Sequence, residues 1–267
     1  MSDFMGFALD HGLIISTLVS GRVCRVPTVD HPNKRNGAYA YFHDFAWLQN
    51  WAAHSSPVMW FLKDSGNVAK AVYREARKSY ADERTRQHGK AQAKAKQILA
   101  NCELMPHAYL EKKGFPGLHG LVSDHKLVIP MRRGQDVSGL QTVTSWGEKK
   151  FLYGQDNQCA THRIGRGRDN VLCEGYATAL SLAACLKGDY SIWVCFSAGN
   201  MVKVAKQLGR GIVIADNDAS DTGRKAALAT GLPFFMPETT GQDLNDLWLD
   251  IGTLKTSLLL RKFVSAL

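Results

Sequence analysis

The sequence predicts an α/β protein: a parallel βαβ sheet with flanking helices, preceded by a basic α+β N-terminal half. Three observations carry that expectation. Val171–Cys173 and Gly211–Ala215 are short, continuously apolar runs of the kind that strands buried on both faces need. The first runs into Glu174 and Gly175 and then a helical pattern (Ala177, Leu180, Ala183, Ala184), so it reads as strand, turn and helix. The second ends in Asp216-Asn217-Asp218, and a formal charge of +9 is concentrated upstream of both.

Taken in order, 267 residues with 45% apolar content can bury a sizeable core and favour more than one domain. The boundaries expected are 1–66 for an aromatic-rich α+β module, 67–104 for a basic helical linker, 105–168 for a basic subdomain and 169–267 for the parallel sheet with C-terminal helices. Phe4 to Ile15 opens with Asp3 and lacks a basic leader, so it reads as an amphipathic helix and not a signal peptide. No run of 18 apolar residues exists, so no membrane association and a cytoplasmic location are expected.

Between Arg22 and Trp60, short aromatic runs punctuated by Pro27, Pro32, Gly37 and Pro57 predict a small antiparallel sheet with turns at Asn33 and Asn36-Gly37. Lys34 and Arg35 on that turn, followed by Tyr39, Tyr41 and Phe42, suit single-stranded nucleic acid. Trp47, Trp51 and Trp60 read as core. His31, His43 and His54 lack ligand-like clustering.

Lys70 to Lys96 holds nine basic residues against three acids. Lys70, Arg74, Arg77 and Lys78 follow helical spacing and form a basic stripe, either a phosphate-contacting surface or a solvated linker. After an expected break at Met105-Pro106, strands are predicted at Lys126–Pro130, Gly139–Ser145 and Lys150–Tyr153. The six scattered cysteines contain no CxxC pair, so free thiols, three of them buried, and no zinc are expected.

Ligands of open α/β sheets bind where strands end, so Glu174, Asp216 and Asp218 should converge. Residues i and i+2 of a strand point the same way, which would let Asp216 and Asp218 share a hard divalent cation. The alternative is a polar loop that caps the next helix. There, Gly223, Arg224 and Lys225 either bind a phosphate at the helix N-terminus or stand in solvent behind a Thr222 cap.

Glu174-Gly175-Tyr176, Asp216-x-Asp218, Gly223 and the acids of Asp243-Leu244-Asn245-Asp246 resemble the Toprim domain of DnaG-type primases, topoisomerases, OLD-type nucleases and recombination proteins. With Ser197-Ala198-Gly199-Asn200, the run from Glu174 to Ser181 is most similar to primase-like Toprim proteins of phages and plasmids. The resemblance implies Mg2+, with Mn2+ as substitute, on Asp216 and Asp218. Glu174 completes that site or acts as base, and Asp243 and Asp246 hold a second ion. Upstream, Ile129-Pro130-Met131-Arg132 and Lys149-Lys150-Phe151-Leu152 resemble the basic subdomain of these primases, which implies that Arg132, Lys149 and Lys150 face a triphosphate or template. Arg163, Arg166 and Arg168 add phosphate contacts or form a solvated loop.

Two departures stand out: Thr178 replaces an Asp common in DnaG-type primases, and the zinc-binding module is missing. The implied activity is synthesis of short RNA primers from ribonucleoside triphosphates on single-stranded DNA in phage or plasmid replication inside a bacterial host. No GxxxxGK[ST] motif is present, so a separate replicative helicase would be the partner. A metal-dependent nuclease and a non-catalytic nucleic-acid-binding factor in replication or defence are the alternatives.

Overall fold

The computed structural model describes residues 3–43, 45–54, 57–62, 67–186 and 190–267, with the side chains of residues 3, 67–77, 79 and 80 outside that description. The chain divides into two compact units, Met1–Glu83 and Arg84–Leu267.

In the first unit, helix α1 (Asp3–Asp10) is followed by four antiparallel strands in sequential order: β1 (Val23–Val26), β2 (Gly37–Tyr41), β3 (Phe45–Asn50) and β4 (Val58–Phe61). Phe4 and Ala8 of α1 pack on Tyr39, Leu48 and Trp60, so the apolar face of the first helix closes one face of the sheet. The expectation for the tryptophans is corrected in part. Trp60 is core, Trp47 is half-buried, and Trp51 is exposed with the Arg25 guanidinium 4.1 Å from its ring centre.

Helix α2 (Asn67–Ala100) is polar over most of its surface. Within the second unit, Ala91 and Ala95 are buried, with Ala95 packed on Val128, Val137 and Leu140. Gln92 donates to the Val137 carbonyl. Lys78, Lys90, Lys94 and Lys96 are exposed, while the side chains of Lys70, Arg74 and Arg77 lie outside the described residues.

The second unit contains two sheets. The first is antiparallel, in the order β5 (Glu103–Pro106), β6 (His119–Ser123), β7 (Lys126–Arg133), β8 (Asp136–Val143), β9 (Lys149–Phe151), with helix α3 (Ala108–Lys112) between β5 and β6. Met105-Pro106, expected to break the chain, instead lies in β5, because a proline fits an edge strand whose outer side needs no donor.

The second sheet comprises β10 (His162–Ile164), β11 (Asp169–Cys173), β12 (Tyr190–Val194), β13 (Ile212–Ile214) and β14 (Phe234–Phe235), ordered β10-β12-β11-β13-β14. All its pairings are parallel except β10 with β12. Helices α4 (Tyr176–Cys185) and α7 (Leu244–Ser265) pack together, as do α5 (Ala198–Leu208) and α6 (Thr222–Thr230).

Strand alternation explains why β11 is apolar from Val171 to Cys173. Val171 and Cys173 join the core that holds α4 and α7, and Leu172 joins the core that holds α5 and α6. The first core also includes Leu110, Leu127, Ile129 and Met131, so the antiparallel sheet and the parallel sheet share one interior. From β11 the chain passes to β12 on one side, and from β13 to β14 on the other. The topological switch point therefore lies between β11 and β13.

Asn245, fully buried, ties the shared interior together by donating to the Lys113 carbonyl at 3.0 Å and to Ser181 Oγ at 2.9 Å. Asn245→Ala should lower the unfolding free energy by about 2 kcal/mol, because two buried acceptors lose their donor. Urea denaturation at fixed pH checks this, with Asn245→Asp as a variant that keeps the volume.

Candidate active site

Glu174 follows the last residue of β11, and Asp216 lies two residues beyond β13, next to the switch point. Asp243 is the N-cap of α7, its Oδ1 accepting from the Asp246 amide at 2.8 Å, while the Asp243 amide donates to Asp246 Oδ2 at 3.3 Å. Asn217 brings these segments together. Its side-chain amide donates to the carbonyls of Pro237 and Glu238, and its backbone bonds both Gln242 and Gly241. The loop leading to Asp243 is thereby held against the Asp216 segment.

Glu174, Asp216 and Asp243 line one cavity of about 120 Å³ with Thr178 of α4 and Phe196. Tyr109, Lys113, Gln141 and Lys149 of the antiparallel subdomain complete its wall. Phe196 has φ +65°, a left-handed conformation uncommon for a bulky side chain, and its amide donates to the Glu174 carbonyl at 3.0 Å.

The electrostatics follow from crowding. Burial, with the charges of Asp243 and Glu174 adding to it and Lys149 opposing, pushes the Asp216 carboxyl up to about 7. Burial also raises Glu174, against Lys149 and an amide bond from Ala198. Asp218 goes the other way, to about 2, because donors surround it. Its Oδ1 accepts from the Ser220 hydroxyl and from the amides of Ser220 and Thr222, and its Oδ2 accepts from the Gly223 amide at 2.8 Å.

This arrangement corrects the expectation of a shared strand face. Asp216 and Asp218 lie beyond β13 in a loop, so strand alternation does not align them. Asp218, and not Thr222, receives the first amides of α6. A Cβ on Gly223 would stand 2.1 Å from the Asp216 carbonyl oxygen, so glycine is required for this close approach.

Among the described residues, buried polar atoms without a hydrogen-bond partner include Asp216 Oδ1, Thr178 Oγ1 and Tyr109 Oη, all from residues that line the cavity. No group of three carboxylate, imidazole or thiol side chains among the described residues is placed to enclose a metal ion. The unpartnered Asp216 Oδ1, in a cavity also lined by Glu174 and Asp243, fits a cation that takes one or two carboxylates and fills its remaining positions with water and phosphate, as Mg2+ does.

The other expected residues fall elsewhere. Lys149 lines the cavity, whereas Lys150, next along β9 and on its opposite face, pairs with Glu148 at 2.8 Å. Arg132 is off the cavity wall and donates to the Gln135 carbonyl. Arg163 bonds Ser191 and stacks on Trp193. Arg166, Arg168, Arg224 and Lys225 are exposed outside the cavity, and the α6 amides that were to hold a phosphate already hold Asp218. Asp246 uses one oxygen for the Asp243 amide and the other for Lys113 at 3.4 Å, which leaves it off the cavity wall. Lys34 and Arg35 are exposed in the first unit.

Tyr109, Lys113 and Gln141 were missed from sequence, where Tyr109 within α3 and Lys113 at its C-cap carried no motif. Cys173, Cys185 and Cys195 are buried free thiols, as expected.

An acid whose folded pKa exceeds its unfolded value stabilises the fold below the unfolded value, and that contribution is lost as pH rises through the folded one. The metal-free protein should therefore lose stability relative to Asp216→Asn as pH rises from 3.8 to about 7. The gap should reach on the order of 4 kcal/mol at pH 8 and shrink with saturating Mg2+, as read by thermal unfolding of both proteins across pH.

Residues 169–253 match the Toprim domain family. A comparison with curated proteins finds no match. Among solved structures, the chain is similar to a DNA primase domain from Pseudomonas aeruginosa, with 15% identity, TM-score 0.39, and coverage of 61% of this chain and 55% of that one. It is similar to a DnaG catalytic core, with 14% identity, TM-score 0.41, and coverage of 69% and 72%. It is also similar to the primase fragment of the bacteriophage T7 primase-helicase protein, with 17% identity, TM-score 0.41, and coverage of 59% and 74%. The chain thus spans just over half the length of the Pseudomonas aeruginosa domain. Among the described residues, no helix is long and apolar enough to cross a membrane.

Proposed function

We propose that this chain, whose residues 169–253 form a Toprim domain, is a primase-like nucleotidyltransferase that synthesises short RNA primers on single-stranded DNA. The observation that carries the reading is the convergence of Glu174, Asp216 and Asp243 with Lys149 on one cavity at the switch point of the sheet. A hydrolase needs the acids and a strand. A polymerase needs in addition a cation aimed at the same space to receive a triphosphate, and Lys149 supplies it.

In this reading Asp216 Oδ1, which has no partner, and Asp218 Oδ2, which accepts one bond and retains a lone pair, are the carboxylate oxygens that hold Mg2+ or Mn2+. When bound, the ion neutralises the negative charge that builds on the phosphate under attack. Glu174, raised by burial, takes the proton of the attacking 3′-hydroxyl as its oxygen bonds the α-phosphorus and the bond to the leaving pyrophosphate breaks. Asp243 is the carboxylate for a second ion. Asp246 is a positioning residue that fixes Asp243 through the capping box and holds Lys113. Lys149 holds the triphosphate and offsets the acids. Catalysis of this kind is mostly positioning and electrostatic stabilisation. Single-stranded DNA, ribonucleoside triphosphates and a separate helicase are the partners this chemistry calls for, in a phage or plasmid replication setting.

The test is primer synthesis on single-stranded DNA with labelled ribonucleotides and Mg2+. Wild type should yield short products, Asp216→Asn/Asp218→Asn none, and Glu174→Gln about 10²–10⁴-fold less product per unit time. Lys149→Gln should chiefly raise KM for the nucleotide. Shortening of the template without product would move the assignment to a nuclease. DNA binding with neither reaction would leave a binding factor.

A further inference from the structure

We propose that Trp146 and Tyr153, at the two ends of β9, form a base-stacking platform that holds single-stranded nucleic acid beside the acid cavity. The inference takes its location from the nucleotidyl-transfer reading of that cavity and adds how the template is gripped. Trp146 is 78% exposed and Tyr153 is 90% exposed, whereas the other tryptophans of this unit, Trp193 and Trp248, are partly buried against its cores. Two aromatic rings left almost wholly in water, seven residues apart, have no packing role that accounts for them.

Their supports are fixed. In the turn before β9, the Thr144 amide donates to the Glu148 carbonyl at 3.0 Å, the Gly147 amide to the Thr144 carbonyl at 2.9 Å, and the Glu148 amide to Thr144 Oγ1 at 3.0 Å. Gly147 lies over the ring of Tyr109, where a Cβ would meet ring carbons at 3.9 Å, so Trp146 sits on a turn that packs directly on the cavity wall. After β9, Gln155 Oε1 accepts from the amides of Leu152 and Leu140 and pins the segment that carries Tyr153.

Between the two rings, Lys149 points into the cavity and Lys150 lies on the opposite face beside Glu148. Phe151 is 40% exposed and meets the ring of Phe196, another cavity residue, edge-on at 6.3 Å. Exposed aromatic rings beside the cavity match a strand with unpaired bases, because every base offers a stackable face. A duplex, whose bases are already stacked, gains little from such rings, so the platform selects single strands. The chain's formal charge of +9 favours the same polyanion.

The test is binding of a fluorescent oligothymidine of about 20 nucleotides, long enough for one site, and of a duplex of the same length, by the full chain without metal or nucleotide. Trp146→Ala/Tyr153→Ala should weaken single-strand binding by about tenfold or more, leave duplex binding and the salt slope unchanged, and keep the wild-type circular dichroism spectrum. Trp146→Phe/Tyr153→Phe should restore most of the affinity. Single-strand affinity within twofold of wild type, an equal loss on duplex, or no single-strand binding by the wild type would each overturn the platform. The result is separable from the primase reading: selective loss with no primer synthesis leaves the platform standing alone, and undiminished binding by an active primase removes only the platform.

Discussion

The site is governed by the difficulty of placing several carboxylates in a small, dry space. Asp216 and Asp218, two residues apart and chemically identical, end with carboxyl groups displaced in opposite directions. The difference lies first in burial beside other acids, which raises Asp216, and then in donors, which lower Asp218. Asp218 has the first amides of α6 and the Ser220 hydroxyl, and Asp216 Oδ1 has nothing. One carboxylate is surrounded by donors of the fold, while the other keeps a buried oxygen without a partner. Lys149 moderates the imbalance without removing it.

That tension can exist only because the rest of the unit is well packed. Val171 to Cys173 of β11 are buried on both faces, so the strand's polar side chains stand at its two ends, with Glu174 just past the second. The antiparallel sheet shares the same core and therefore presents Tyr109, Gln141 and Lys149 to the acids at fixed distance. Cavity-facing groups thus come from the ends of the parallel sheet and from the antiparallel subdomain through one interior.

Much of this was legible in the chain. Apolar runs that end in acids mark β11 and β13 and their cleft, because burial on both faces leaves a distinct pattern. The phase of β9 was not legible: three exposed residues carry no apolar alternation, so nothing distinguished Lys149 from Lys150. Tyr109 lies on a helix of only five residues, too short to show periodicity. Asp218 was assigned a strand geometry because the strand's end was placed too late, and the competing attraction of helix amides won. Trp51 was assigned to the core on residue type alone, whereas it lies open under Arg25.

The clasp made by Asn217 carries a further implication, for which segments can change in length. Because one amide side chain and two backbone bonds join the Asp216 loop directly to the Pro237–Gln242 loop, the chain between them, α6 and β14 included, is bypassed as a determinant of the spacing between Asp216 and Asp243. Extra residues inserted after α6 would be absorbed at the surface, whereas a single deletion between Pro237 and Gln242 would pull the two acids out of register. Length polymorphism should therefore concentrate on one side of the clasp and be excluded from the other.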